Sequence, residues 1–138
     1  MTVRRLTVCA AAALALGSCD TPTSPNDRVY LRLFQFETPD AVSSGDTVRV
    51  GFRYSTWCGP APSLDLTLRT GDIRVGVWTR RKELDRICIA IYPITVRTEF
   101  LLPPQYLGPE RTVVRFRQPE GADSVREIVT QAAGSRAP

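Results

Sequence analysis

Apolar residues along this chain recur mostly at every second position, the period of a strand whose side chains alternate between two faces. Val29, Leu31 and Leu33 alternate with Tyr30, Arg32 and Phe34. Val48, Val50, Phe52 and Tyr54 then point one way, and Thr47, Arg49, Gly51 and Arg53 the other. Leu64, Leu66 and Leu68 alternate with Asp65, Thr67 and Arg69; Ile73, Val75 and Val77 alternate with Arg74, Gly76 and Trp78. A Thr70-Gly71-Asp72 turn joins these two runs as a hairpin. Residues 87–92 are apolar on both faces, which predicts a central strand, and Pro93 interrupts them. Alternation resumes at Ile94, Val96, Thr98 and Phe100, and a further strand is expected over 112–117. Residues 123–131 fit either a strand or one short helix.

Turn-forming or charged stretches separate these runs: ETPDAVSSGD at 37–46, TRRKELDR at 79–86 and LPPQYLGPE at 102–110. The second is read as an exposed charged loop. No window carries ten or more residues at a helical period, and there is no internal repeat. About seven short strands in one small domain predict an all-β fold. The architecture expected is an antiparallel β-sandwich of immunoglobulin or fibronectin type.

The N-terminus follows a different pattern. Arg4 and Arg5 precede an Ala- and Leu-rich stretch, 6–16, of signal-peptide length and too short to span a bilayer. It closes on Leu16-Gly17-Ser18-Cys19, which resembles the lipobox of bacterial lipoproteins: an aliphatic residue, two small ones, then cysteine. The resemblance covers only the leader and Cys19. It implies cleavage after residue 18 and acylation of Cys19, first on the thiol with diacylglycerol and then on the new amino terminus. A polar linker over 19–27 would follow, then the domain over 28–131 and a frayed tail over 132–138. The alternative is an ordinary secretory signal cut near Gly17 or Ser18. The expected location is the cell envelope, on the periplasmic face or the outer surface of a membrane, with the covalent lipid as the one prosthetic group.

Cysteine usage follows from that location. Cys9 leaves with the leader and Cys19 becomes the anchor, so Cys58 and Cys88 remain in an oxidising compartment and are expected to pair. The bridge would close a loop of about 30 residues, stabilising the fold by on the order of 3–4 kcal/mol. Trp57-Cys58-Gly59-Pro60 also resembles the start of the thioredoxin motif, but Ala61 stands in place of its second cysteine. A thioredoxin site needs a helix N-terminus behind the first cysteine to lower the thiol pKa. Pro62 and the strand pattern of 64–68 follow instead. Tyr92-Pro93-Ile94 resembles the thioredoxin cis-proline segment, yet 61–90 reads as a hairpin and a charged loop, so the two pieces do not assemble. Cys58 is therefore read as structural, and a degenerate thioredoxin-like thiol oxidoreductase is the runner-up.

Loss of Arg4 and Arg5 with the leader lowers the formal charge from +4 to about +2, short of the concentrated basic face a nucleic-acid binder needs. The chain has no histidine, which removes the commonest general base and transition-metal ligand. Its serines have no histidine to activate them, so neither catalysis nor a metal site is expected. Arginines at 49, 53, 69, 74, 97, 115 and 117 all point outward. On one sheet face they would form a ladder for anionic glycans, lipid headgroups or an acidic partner; otherwise they pair with Asp65, Asp72 and Glu99. Arg80, Arg81, Lys82 and Arg86 of the charged loop, with Trp57 and Trp78, are further binding candidates. In a carbohydrate-binding or adhesin-like module, Trp57, Trp78 and Tyr106 would be the stacking platforms. The function expected is a lipid-anchored binding or structural module whose partner is an envelope protein or glycan.

Overall fold

Nine strands, one helical turn and one 3-10 turn make up the regular structure of a computed structural model that describes residues 27–56, 61–84 and 93–134. The strands are β1 (Arg28–Tyr30), β2 (Leu33–Glu37), β3 (Ala41–Ser43), β4 (Val48–Thr56), β5 (Ser63–Arg69), β6 (Asp72–Arg80), β7 (Ile94–Leu102), β8 (Arg111–Phe116) and β9 (Ser124–Gln131). The helical turn, α1, spans Arg81–Leu84, and the 3-10 turn spans Pro104–Tyr106. The all-β expectation holds, and 123–131 resolves as strand. The two-sided strand expected over 87–92 lies outside the described residues.

The strands form two sheets. The smaller is β2-β4-β7, with β4 antiparallel to both neighbours. In the larger, β6 pairs with β5 along one edge. Its other edge is shared end to end by β8, parallel over Asp72–Val75, and β1, antiparallel over Trp78–Arg80. Beyond β8 come β9, antiparallel, and β3, parallel to β9. Two parallel pairings thus correct the purely antiparallel expectation. Parallel neighbours need a connection long enough to carry the chain back along the sheet. The excursions from β3 to β9 and from β6 to β8 provide it.

Alternation explains the core. Val48, Val50, Phe52 and Tyr54 of β4 face Ile73, Val75 and Val77 of β6 and Val114 and Phe116 of β8 in one buried cluster. Phe116 is fully buried, stacks on Phe36 at 4.2 Å between centroids and tilts against Phe52 at 5.9 Å. Burying a ring of this size contributes about 1.5–3 kcal/mol. Every residue of the buried cluster lies between Leu33 and Ile128.

The single strand expected over 29–34 divides, because the chain crosses from one sheet to the other at Leu31-Arg32. The Leu31 amide donates to Val77 in the larger sheet. Leu33 already pairs with Tyr54 in the smaller one, and the Gln118 side chain bonds both its N–H and its carbonyl at 3.2 and 3.1 Å. A bulge follows at Gln35, whose φ is +50°. The extra residue resets the alternation, so Phe36 turns into the core and Glu37 outward. The short strand β3 falls inside the stretch read as a turn, 37–46. Three residues are too few for a period to show, and what makes them a strand is the distant partner β9.

The two ends of the molecule differ. At the distal end Gly71 donates to the Tyr106 carbonyl and accepts from Val113. The Gly108 amide donates to the buried Thr112 hydroxyl at 2.9 Å. A Cβ on Gly108 would sit 2.1 Å from the Arg111 carbonyl oxygen, so this turn closes only around glycine. The proximal end gathers Arg28, the last residues of β4 and β6, α1, and the first residues of β5 and β7.

Candidate functional site

Sheet register separates the outward arginines into two groups with different surroundings. Arg49, Arg53 and Arg97 lie on the outer face of the smaller sheet, where Arg53 sits directly opposite Arg97. Like charges in that position repel unless neutralised. Glu37 does this: it accepts from Arg97 Nε at 3.2 Å and from Arg97 Nη2 at 2.6 Å, a bidentate pair. Glu99 adds contacts to Arg49 and Arg97, each at 3.6 Å. The Arg97 hydrogen bond draws the Glu37 carboxyl below its ordinary pKa, and the same bond raises that of Arg97. Arg49 and Arg97 are thus held in ion pairs with Glu37 and Glu99, while the buried Nε of Arg53 has no hydrogen-bond partner among the described residues.

Arg69, Arg74, Arg115 and Arg117 share the outer face of the larger sheet. Here three of them border a depression of about 370 Å³ lined by Asp65, Thr67, Arg74, Gly76, Arg115, Arg117 and Asp123. Gly76 forms its floor. It takes an outward position of β6 between Arg74 and Trp78 and is buried under the Tyr30 ring, where an added Cβ would come within 2.8 Å of Tyr30 Cε1.

Tyr30 organises one wall. Its hydroxyl donates to Asp65 Oδ2 at 2.9 Å and accepts from Arg117 Nη1 at 3.0 Å. The Arg117 guanidinium lies over the ring, 3.9 Å from its centroid. Burial first, and then the bond to Asp65, push the phenol above its ordinary pKa, so it remains a donor across neutral pH. On the other wall Arg115 Nε donates to Asp72 Oδ1 at 3.0 Å, and Arg74 approaches the second oxygen of Asp72 at 3.7 Å. Arg74 is about two-thirds exposed and Arg115 about two-fifths. The result is a polar basin in which guanidinium groups are fixed by the sheet while part of their donor edge stays in solvent. Asp65, Thr67 and Asp123 supply acceptors beside them.

The other binding candidates lie at the proximal end. Trp78 is on the same outer face, opposite Tyr30 and with Arg28 stacked over it at 4.4 Å. Trp78 and Arg80 border a second depression of about 250 Å³ with Ala61, Ser63, Thr79 and Glu83. The stretch read as a charged loop is partly regular. Thr79 and Arg80 extend β6 because Val29 and Arg28 pair with them, and Arg81 and Lys82 are exposed on α1. Tyr106 packs against the core cluster at the distal end and offers no stacking face beside either depression. Cys19, Trp57, Cys58, Arg86 and Cys88 lie outside the described residues, as does the lipobox.

Tyr30, Asp65 and Gly76 are functional candidates that strand patterning alone does not single out. One signal was present: an isolated glycine inside a strand pattern marks close approach of another group. Among the described residues no group of three or more Cys, Asp or Glu side chains is placed to hold a metal ion, and no helix is long and apolar enough to cross a membrane. Comparison with protein-family models, with curated proteins and with solved structures finds no match to this chain.

Proposed function

We propose that this protein is a lipid-tethered binding module of the cell envelope, acylated at Cys19, that takes an acidic, hydroxyl-bearing saccharide on the outer face of its larger sheet. Its domain is read as an immunoglobulin-like sandwich carrying a Cys58–Cys88 disulfide, and its role as non-catalytic. The observation that carries the reading is the set of guanidinium groups of Arg74, Arg115 and Arg117 around the Gly76 floor, with Arg117 held on the Tyr30 ring. Arginines fixed in this way lose little entropy when they engage a carboxylate. The neighbouring acids suit sugar hydroxyls as donors and disfavour a ligand that is anionic throughout. Arg117 already covers Tyr30, so recognition would rest on charge and hydrogen bonds, with little ring stacking.

Calorimetric titration with an oligogalacturonate and with its neutral methyl ester tests this. The acid form should bind and the ester should not. Arg117→Gln should weaken binding about tenfold, the loss of one charge-assisted pair. Equal affinity for acid and ester, or no binding of either, would sink the saccharide reading. The anchor is tested separately: Cys19→Ala should release the protein from the membrane fraction, and unchanged retention would count against lipidation.

A further inference from the structure

The proximal end combines two features that the basin on the sheet face does not explain. Among the described residues, four of its cations form no ion pair. Arg28 and Arg80 face each other across the β1–β6 pairing, a repulsive arrangement, and Arg81 and Lys82 follow directly. Among the described residues none of these four has a carboxylate within ion-pair distance. The same end also exposes aliphatic side chains: Leu64 at 44%, Leu84 at 45% and Ile94 at 56%. Leu64 lies near the start of β5, Leu84 closes α1, and Ile94 opens β7 beside Thr56.

Unpaired cations beside exposed aliphatic groups suit the boundary between lipid headgroups and acyl chains, where both are satisfied together. The position of the chain agrees. Cys19 lies nine positions before Arg28, and even a fully extended segment of that length reaches only about 30 Å. The described chain enters the domain at the end carrying these groups, through Arg28 of β1. We infer that the proximal end is a docking surface for anionic phospholipid headgroups, so that the domain rests on the membrane with its outer sheet face turned sideways. The inference rests on the reading of Cys19 as the anchor for its orientation, but the lipid contact itself belongs to the folded domain.

The test uses the chain from Asp20 onward, without acyl groups; it keeps the whole buried cluster, which lies between Leu33 and Ile128. Co-sedimentation is measured with vesicles of phosphatidylcholine alone and of an equimolar mixture with phosphatidylglycerol. Binding is expected to the mixed vesicles only and to fall as salt is raised. Each of Arg80→Gln, Arg81→Gln and Lys82→Gln should lower partitioning roughly fivefold. Ile94→Ser should lower it as well, while Arg74→Gln should leave it unchanged. Equal binding to both vesicle types, no binding to either, or a loss caused by Arg74→Gln and not by Arg81→Gln would overturn the inference. Acyl incorporation at Cys19 in cells is scored independently, so an unmodified Cys19 with intact vesicle binding removes the tether and leaves the docking surface standing.

Discussion

Gln35 is a residue in a conformation that suits glycine, and the reason lies one position further on. Its φ of +50° costs an L-amino acid about 1–2 kcal/mol. The bulge it makes brings Phe36 onto Phe116, an aromatic contact that offsets the cost. Gln35→Gly should therefore raise stability by up to about 1 kcal/mol, net of the added freedom in the unfolded chain. Gln35→Val should lower it by a similar amount or more, with chemical denaturation as the measurement. Two residues on, Glu37 gives a pH prediction. Its folded pKa is depressed, chiefly by the Arg97 hydrogen bond, so its contribution is present above the unfolded carboxylate pKa and lost as pH falls through the folded value. Thermal midpoints of the protein and of Glu37→Gln should differ most near neutrality and converge in acid. A gap that persists unchanged at low pH would show that the pair contributes nothing through ionisation.

At the scale of elements, long strands with a buried stripe were legible and short ones were not. β4 and β6 each run nine residues with their inward positions buried, and the pattern of Val, Ile and Phe is enough to find them. The β5–β6 hairpin was likewise legible, from its Gly71 turn and two flanking alternations. β1 and β2 merged because alternation continues through Leu31-Arg32 although the backbone changes sheet there. β8 is the element on which both sheets converge, through Phe116. Phe116→Ala removes a ring that touches Phe36 and Phe52 and should cost about 3–5 kcal/mol, while Phe116→Leu should keep most of the volume and cost less. Urea unfolding of the two variants distinguishes them. Equal losses would mean that stacking geometry matters more than filled volume. At the distal end, Gly108→Ala should prevent the turn that bonds Thr112, since the clash is with backbone and no rotamer relieves it.

Over the whole molecule, what could not be read from the sequence is which strands are neighbours. The outward arginines were identifiable one strand at a time, because parity within a strand fixes their side. Gathering Arg74, Arg115 and Arg117 around Gly76 depends on β6 pairing in parallel with β8 across some forty residues, and Tyr30 reaches them from the far end of the chain. Pairing across the molecule also bears on the proposed Cys58–Cys88 bridge. β4 and β7 are in register at Thr56 and Ile94, so the segments holding the two cysteines start and finish at the same, proximal end. A bond between them would tie the connection leaving β4 to the one entering β7, and close a loop that the unfolded chain otherwise leaves open. On that account Cys58→Ser and Cys88→Ser should each cost on the order of 3–4 kcal/mol, and the double variant no more than either single one. A redox role predicts otherwise: Cys58 would be alkylated by iodoacetamide at neutral pH in the unreduced protein, and its loss would leave stability unchanged. Thiol titration of the folded, unreduced domain decides between the two, because a bridged pair yields no reactive thiol until a reductant is added, and the reductant should then lower the unfolding midpoint as far as Cys58→Ser does.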